Sequence, residues 1–256
     1  MPQKTLVFQS HRQNLPYAWL TECFDSVKQW AHLKNYDYIF IDDALFSVIN
    51  KEIFERYKSQ KVILTDIARL LWARKYLNDG YERVIWLDAD FLIFNAEEFN
   101  LLKADYAVGR EVWVQKDKAK GLSVYKKVHN AFLMFSKDNA FLDFYIETAM
   151  RLLSTNTGNV PPQFIGPKLL TALHNICLLP VQESAGMLSP IVLNDLSSGQ
   201  GQALDLFEKS LSSPVYAANI STSVIDEAGL SDDEMLLLFK TLHARKGLLA
   251  QQSLKN

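Results

Sequence analysis

An α/β fold with a largely parallel, covered sheet is predicted by three features of the chain. Strand-like and helix-like runs alternate from residue 4 to about residue 90. One run, Val84 to Phe94, is apolar throughout except for Asp88 and Asp90, as expected of a strand buried on both faces. The composition is that of an ordinary globular chain: 256 residues, 48% hydrophobic and 22% charged, enough to bury a substantial core. The formal net charge of −2 gives no electrostatic reason to expect nucleic acid as a partner.

The elements follow in order. Residues 4–9 read as a first strand. An amphipathic helix over about 15–33 carries Trp19, Leu20, Phe24, Val27 and Trp30. Tyr36 to Asp43 reads as a second strand ending in carboxylates. A long helix spans about 60–78, stopped by Asn78-Asp79-Gly80, and the acidic strand 83–88 begins after it. In sheets of this kind ligands bind beyond the carboxyl ends of the strands, where Asp42, Asp43, Asp88 and Asp90 all fall.

Beyond this point the pattern loosens. Tyr106–Gly109 and Val128–Phe135 read as strands, and 139–153 as a helix. Thr155 to Pro162 is a polar loop, and Phe164 to Asn175 is a helix interrupted early by Gly166-Pro167. The stretch 181–229 is left without assigned elements. Ser231-Asp232-Asp233-Glu234 is a capping box opening a last helix through Leu236, Phe239 and Leu242. That helix and the basic residues Lys240, Arg245, Lys246 and Lys255 read as a plain packed helix in preference to a membrane or partner contact.

The aspartates of the acidic run, at i and i+2, would share one face of an extended segment about 7 Å apart. Buried charges of one sign need a partner. Two carboxylates suit a hard divalent cation, with its remaining positions left to a phosphorylated ligand. The expectation is a metal–diphosphate site at the end of a central strand. On the helix before it, Ile63, Ile67, Leu70, Leu71 and Leu77 form a core stripe, with Asp66 and Arg69 neighbours on its flank. As an isolated pair these two would be a surface ion pair. Arg74 falls nearer the centre of the stripe, with no partner legible in the sequence.

Cys23 lies in a helical pattern and Cys177 in a short strand-like one; without metal-type spacing, both are expected to be buried, reduced thiols. The first residues show no signal peptide, and no run of about 18 apolar residues suggests a membrane span. A cytoplasmic location is the expectation.

Thr65-Asp66-Ile67-Ala68-Arg69 followed by Val84 to Phe94 with Asp88-Ala89-Asp90 resembles the core of metal-dependent GT-A glycosyltransferases. The closest type is family 32, which includes mannosyltransferases related to yeast initiation enzymes and the glucosylating clostridial toxins. The resemblance covers about residues 4–175. It implies a Rossmann-like central sheet in one domain over 1–256, with 1–115 the nucleotide-sugar-binding half and 116–256 the acceptor-side half with the C-terminal helix. It also implies that Asp66 and Arg69 contact the donor sugar and phosphates, and that Asp88 and Asp90 bind Mn²⁺ or Mg²⁺ and the nucleotide. His129-Asn130-Ala131-Phe132 is similar to the Asn-Ala segment beside the sugar pocket. Ile165-Gly166-Pro167-Lys168 resembles a segment on the acceptor side, and Phe8-Gln9-Ser10 lies where a first strand meets the base. Asp66 and Asn130 would then hold the sugar.

Some of these residues have simpler readings. His129 is expected to be a buried histidine making a hydrogen bond. Asn130 serves equally as a strand-end residue, and Gly166-Pro167 as a helix-start turn. The run Lys116-Asp117-Lys118-Ala119-Lys120-Gly121 reads as a solvated loop. The chain departs from the family at Gly80-Tyr81-Glu82-Arg83, where the usual turn differs. It also lacks a clear late metal ligand, for which Asn219, Ser221, Ser223 and His243 are candidates, each with a structural role as the simpler reading.

The expected activity is transfer of a hexose from a UDP- or GDP-sugar to a hydroxyl acceptor, carbohydrate or other, with retention. Two alternatives stand beside it. A haloacid-dehalogenase-type Mg²⁺ phosphatase also ends an apolar strand in Asp-x-Asp, although there the motif usually opens the fold. A degenerate transferase fold serving as a binding or scaffold protein is the non-enzymatic reading.

Overall fold

The computed structural model describes residues 4–118, 121–221, 225 and 227–249. The first half follows the expected alternation. β1 (Thr5–Ser10), α1 (Trp19–Leu33) and β2 (Asp37–Ile41) lead to a 3₁₀ turn (Asp43–Val48). α2 (Lys51–Tyr57), α3 (Lys61–Asn78) and β3 (Arg83–Leu87) follow. The second half holds β4 (Phe91–Ile93), β5 (Tyr106–Asp117), β6 (Gly121–Ser136), α4 (Ala140–Thr155) and α5 (Pro167–Cys177). After these come β7 (Val181–Gln182), β8 (Ala185–Met187), α6 (Pro190–Ser198), α7 (Gln202–Ser210), β9 (Ala217–Asn219) and α8 (Asp232–Arg245).

The main sheet has the order β2-β1-β3-β6-β5-β7. β2, β1 and β3 are mutually parallel, β6 runs antiparallel to both β3 and β5, and β7 is parallel to β5. Only β6 therefore runs against the rest, and the sheet is mostly parallel, as the sequence predicts. Strand alternation divides its side chains between two cores. Leu6, Phe8, Val84, Trp86, Leu133 and Phe135 pack with residues of α3 and α4, including Ile67, Leu70 and Tyr145. Val7, Ile85, Leu87, Phe132 and Met134 pack on the other face with Val27 and Trp30 of α1. A third cluster joins the start of α1 to α6, α7 and α8.

The acidic run is not one strand. β3 stops at Leu87, Asp88-Ala89-Asp90 forms a turn closed by the Phe91 N–H donating to the Asp88 carbonyl at 3.1 Å, and β4 belongs to a second sheet of order β4-β9-β8. The same-face geometry of an extended segment is thus replaced by a turn. The physical reason is the cost of burying carboxylates within a ladder; the chain leaves the sheet where the charges begin.

The later part of the chain departs most from expectation. β5 and β6 are far longer than the two short strands anticipated and form one hairpin. Of the basic run Lys116–Gly121, read as a solvated loop, Lys116 and Asp117 end β5 and Gly121 opens β6, while residues 119 and 120 lie outside the described residues. The stretch 181–229, read without elements, contains β7, β8, α6, α7 and β9. Its short apolar runs pack against a second sheet, which no local period reveals. Cys23 is buried as expected, but Cys177 ends α5 and is exposed. Arg74 is no core residue: it is 44% exposed and stands 3.7 Å from Asp143 of α4.

The capping box of α8 forms as read, with Ser231 accepting from Glu234 N–H and Glu234 accepting from Ser231 N–H. α8 buries Met235, Leu238, Phe239 and Leu242, and Arg245 pairs with Glu208; Lys255 lies outside the described residues. Among the described residues no helix is long and apolar enough to cross a membrane.

Candidate active site

Helix α3 delivers Arg69 beneath the Asp88–Asp90 turn, and this arginine organises the site. Its Nη1 donates to Asp88 Oδ1 at 2.9 Å and to the Asn130 carbonyl at 2.8 Å. Its Nη2 is 3.1 Å from Asp66 Oδ1, and its guanidinium lies 4.8 Å from the Trp86 ring centroid. The fork geometry of guanidinium allows one side chain to hold two carboxylates and a carbonyl in fixed relation. Trp86 Nε1 adds a second donor to Asp88 Oδ1 at 2.6 Å. Asp66 and Arg69 are 3% and 5% exposed, so the surface ion-pair reading of this couple is overturned.

Asp66 is completed from β6, where Asn130 Nδ2 donates to its Oδ1 at 2.8 Å. Its Oδ2 is buried with no hydrogen-bond partner among the described residues. Burial drives the carboxyl pKa up to about 6; Arg69 and Asn130 act in the opposite direction, while the nearby charge of Asp88 adds to the rise.

An irregularity in β6 aims Asn130 inward. Val108 faces Leu133 but the next residue, Gly109, faces His129, so residues 130–132 have no partner on β5. Such a bulge re-aims side chains and bends the strand. His129 fills the gap: its ring occupies the place of a Gly109 side chain, a Cβ there falling 2.1 Å from Cε1. His129 Nδ1 accepts from Ala131 N–H at 3.1 Å, and Nε2 donates to the Ala185 carbonyl at 3.1 Å. Burial lowers its pKa to about 4, keeping it neutral. His129 is therefore the buried, hydrogen-bonded histidine that its sequence context suggests.

Gly166 caps the N-terminus of α5, with Pro167 at the first helical position, and its bare Cα closes on the same group. A Cβ there would come within 2.5 Å of Asp66 Oδ2 and 2.7 Å of Asn130 Nδ2. Gly166 and Pro167 thus start a helix and also border Asp66, and Pro167 lines the cavity.

Two cavities meet at the acidic turn. The larger, about 730 Å³, reaches from Asp66 and Asn130 past α5 to the β5–β6 hairpin. The smaller, about 490 Å³, is bordered by Ser10 at the end of β1, by His11 and Arg12 after it, and by Asp42 and Asp43 after β2. Arg69, Asp88 and Asp90 line both.

Across the turn, Asn219 at the end of β9 donates from Nδ2 to Asp90 Oδ1 at 2.6 Å, and Ile220 N–H donates to the Asp90 carbonyl at 2.8 Å. Among the described residues no group of three His, Cys, Asp or Glu could hold a metal ion. The oxygen-bearing groups at the turn are the Asp88 and Asp90 carboxylates, which line both cavities, with Asn219 beside Asp90. Both side-chain hydrogen bonds to Asp88 fall on Oδ1, which leaves its Oδ2 to a ligand. Carboxylate oxygens are the donor type that suits a hard divalent cation such as Mg²⁺ or Mn²⁺.

The sequence-predicted site residues divide into two groups. Asp66, Arg69, Asp88, Asp90, Asn130 and Pro167 line the larger cavity, with Gly166 against Asp66 and Asn130. Phe8 does not reach either cavity: it is fully buried, edge-on to Tyr76 and Trp86. Gln9 is also fully buried and spent within the protein, donating to the Asp88 carbonyl and accepting from Tyr38 Oη. The β1 residues at the smaller cavity begin instead at Ser10. Of the late candidates, Asn219 and Ser221 line the larger cavity, His243 is an exposed residue of α8, and Ser223 lies outside the described residues.

Glu111, Trp113 and Gln115 on β5 also line that cavity and were not singled out from sequence. Their alternation with Val112 and Val114 is the signal that marks them as one face.

A solved glycosyltransferase involved in the glycosylation of the major capsid of PBCV-1 aligns over 91% of this chain and 99% of its own. The TM-score is 0.51 and the identity 11%. The chain has the GT-A fold. Two further glycosyltransferases align at TM-scores below 0.5. The galactosyltransferase LgtC, solved with donor and acceptor sugar analogs, scores 0.46 at 13% identity over 93% of this chain and 95% of its own. Mouse xyloside xylosyltransferase 1 scores 0.43 at 13% identity over 87% and 98%. No protein-family model matches the sequence and no curated protein sequence aligns with it, so the narrower resemblance to family 32 rests on its motifs alone.

Proposed function

We propose that the chain is a metal-dependent glycosyltransferase that moves a hexosyl group from a nucleoside-diphosphate sugar to an acceptor hydroxyl, with retention. One observation carries this reading. Buried Arg69 ties Asp66, Asp88 and Asn130 into one rigid group between two cavities that share the acidic turn. The smaller cavity suits a nucleoside and the larger a sugar with its acceptor, which puts the diphosphate at Asp88 and Asp90. A divalent cation held by Asp88, Asp90 and Asn219 would supply charge neutralisation for the leaving diphosphate.

The chain's own residues position the donor. Arg69 donates from Nη1 to Asp88 and the Asn130 carbonyl and pairs through Nη2 with Asp66, so it fixes both carboxylates while still bordering both cavities. Asp66 and Asn130 border the sugar, and the absence of a side chain at Gly166 keeps that floor open. Holding the sugar in one orientation converts a bimolecular encounter into a positioned one. No protein nucleophile is needed in this scheme: the acceptor oxygen attacks the anomeric carbon as the bond to the phosphate oxygen breaks, and that oxygen takes the acceptor's proton.

Fold alone does not fix function. The phosphatase alternative loses its basis, since the Asp-x-Asp strand is third in chain order within a GT-A sheet. Thermal melting with UDP, GDP and their sugar conjugates, with Mn²⁺ or with chelator, tests the proposal. A ligand at 100 times its dissociation constant adds about 2.7 kcal/mol. A metal-dependent shift that is lost in Asp90→Asn is expected. No shift with any nucleotide would remove the transferase reading, and metal-dependent binding without donor consumption would favour the scaffold reading.

A further inference from the structure

The β5–β6 hairpin gives the larger cavity a wall whose chemistry differs from that of the acidic turn. Val112 and Val114 are buried in the core shared with α6 and α7. The alternate residues Glu111, Trp113 and Gln115 all line the cavity. Lys127 of β6 faces Glu111 in register, stands 3.8 Å from it and lines the same space. The Glu111 side chain is only 12% exposed. None of these four residues borders the smaller cavity.

We propose that this wall is the acceptor subsite and that the acceptor is a carbohydrate, a pyranose seated on Trp113 with its hydroxyls held by Glu111, Gln115 and Lys127. A pyranose presents an apolar C–H face and a ring of hydroxyls. An indole beside a carboxylate, an amide and an ammonium meets both at once, and an apolar site with a few convergent polar groups is the usual form of a small-ligand pocket. The carboxylate accepts from hydroxyls while the ammonium donates to them, and the pair together leaves the wall near neutrality, as an uncharged sugar requires. A lipid acceptor would call for a continuous apolar wall in place of these charges. The inference rests on the donor reading of the acidic turn.

The test uses the full chain and saturation-transfer NMR with methyl α- and β-glucopyranosides, galactopyranosides and mannopyranosides, and a Gly-Ser-Gly peptide as comparison. Wild type, Trp113→Ala, Trp113→Phe and Glu111→Gln are compared, each also melted with Mn²⁺ and UDP or GDP. At least one pyranoside is expected to bind wild type. Binding should weaken at least tenfold in Trp113→Ala, less in Trp113→Phe, and clearly in Glu111→Gln, while the nucleotide-dependent melting shift persists in all three.

Should Trp113→Ala fail to fold, the other two variants decide. Binding unchanged by substitution, binding of the peptide alone, or no pyranoside binding despite a normal nucleotide shift overturns the subsite and leaves the donor reading intact. Absence of the nucleotide shift in wild type overturns both.

Discussion

Helix α3 and its C-cap carry two opposite-charge pairs within one helical turn, Asp66–Arg69 at i, i+3 and Lys75–Asp79 at i, i+4, and their surroundings are opposite. The first is 3% and 5% exposed and tied to β3 and β6. The second is 50% and 47% exposed at the end of the helix. In the first, desolvated charges depend on one another and on the sheet; in the second, water screens both partners. The difference teaches that helical spacing brings charges together, while the surface against which the helix packs decides what the pair does.

The largest expected effect is at Arg69. Arg69→Met leaves Asp66 buried without its counter-charge and Asp88 without its brace, so urea denaturation should show a loss of about 3–5 kcal/mol. A loss near that of an exposed pair would collapse the contrast between the two ends of the helix.

Next come two buried groups with opposed pH dependence. The Asp66 pKa is raised to about 6 from an ordinary 3.8, so between these values the folded chain binds more protons and stability falls as pH rises. The His129 pKa is lowered to about 4 from 6.5, so the unfolded chain binds more protons over that interval and stability rises with pH. Each effect is on the order of 3 kcal/mol, from about two pKa units at about 1.4 kcal/mol each. Relative to wild type, the melting profile of Asp66→Asn should tilt upward with pH between about 4 and 6, and that of His129→Gln downward. A parallel pair of profiles would remove the assignment.

Gly166→Ala sharpens the comparison from the side of the cavity. Its Cβ would fall 2.5 Å from Asp66 Oδ2, so a destabilisation of about 1–3 kcal/mol is expected. Nucleotide sugars should lose more of their melting shift than the bare nucleoside diphosphate does. The smallest effect belongs to Lys75→Ala, within about 0–1 kcal/mol by urea denaturation and smaller still in high salt.

How much of this was legible varies along the chain. The alternation of β1, α1, β2, α3 and β3 was readable because local periodicity and end signals such as Asn78-Asp79-Gly80 agree with the fold. Asp88 and Asp90 stood out because charges in an apolar run demand partners, whereas Asp66, Arg69 and Asn130 were singled out only by the resemblance, the first two reading by themselves as a surface ion pair. Phe8 and Gln9 were placed one step too early on β1, since a residue at a strand end and one buried just before it look alike in sequence. The 181–229 stretch was opaque because its elements are short and are stabilised by partners distant in sequence: β7 by β5, β8 and β9 within the second sheet, and α6 and α7 by the cluster with α1 and α8.

By itself, the sequence determined that the chain is an α/β protein with a helix carrying Asp66 and Arg69 ahead of an apolar strand ending in two aspartates. These are local facts, written in periods of two and of 3.6 residues and in the cost of an unpaired charge. Only the tertiary structure decided that Arg69 braces Asp88, that the β6 bulge turns Asn130 onto Asp66, and that Asn219, 129 residues from Asp90, meets it across the turn. Those contacts join segments far apart in the chain. Their closeness follows from sheet order and packing, which no local pattern encodes.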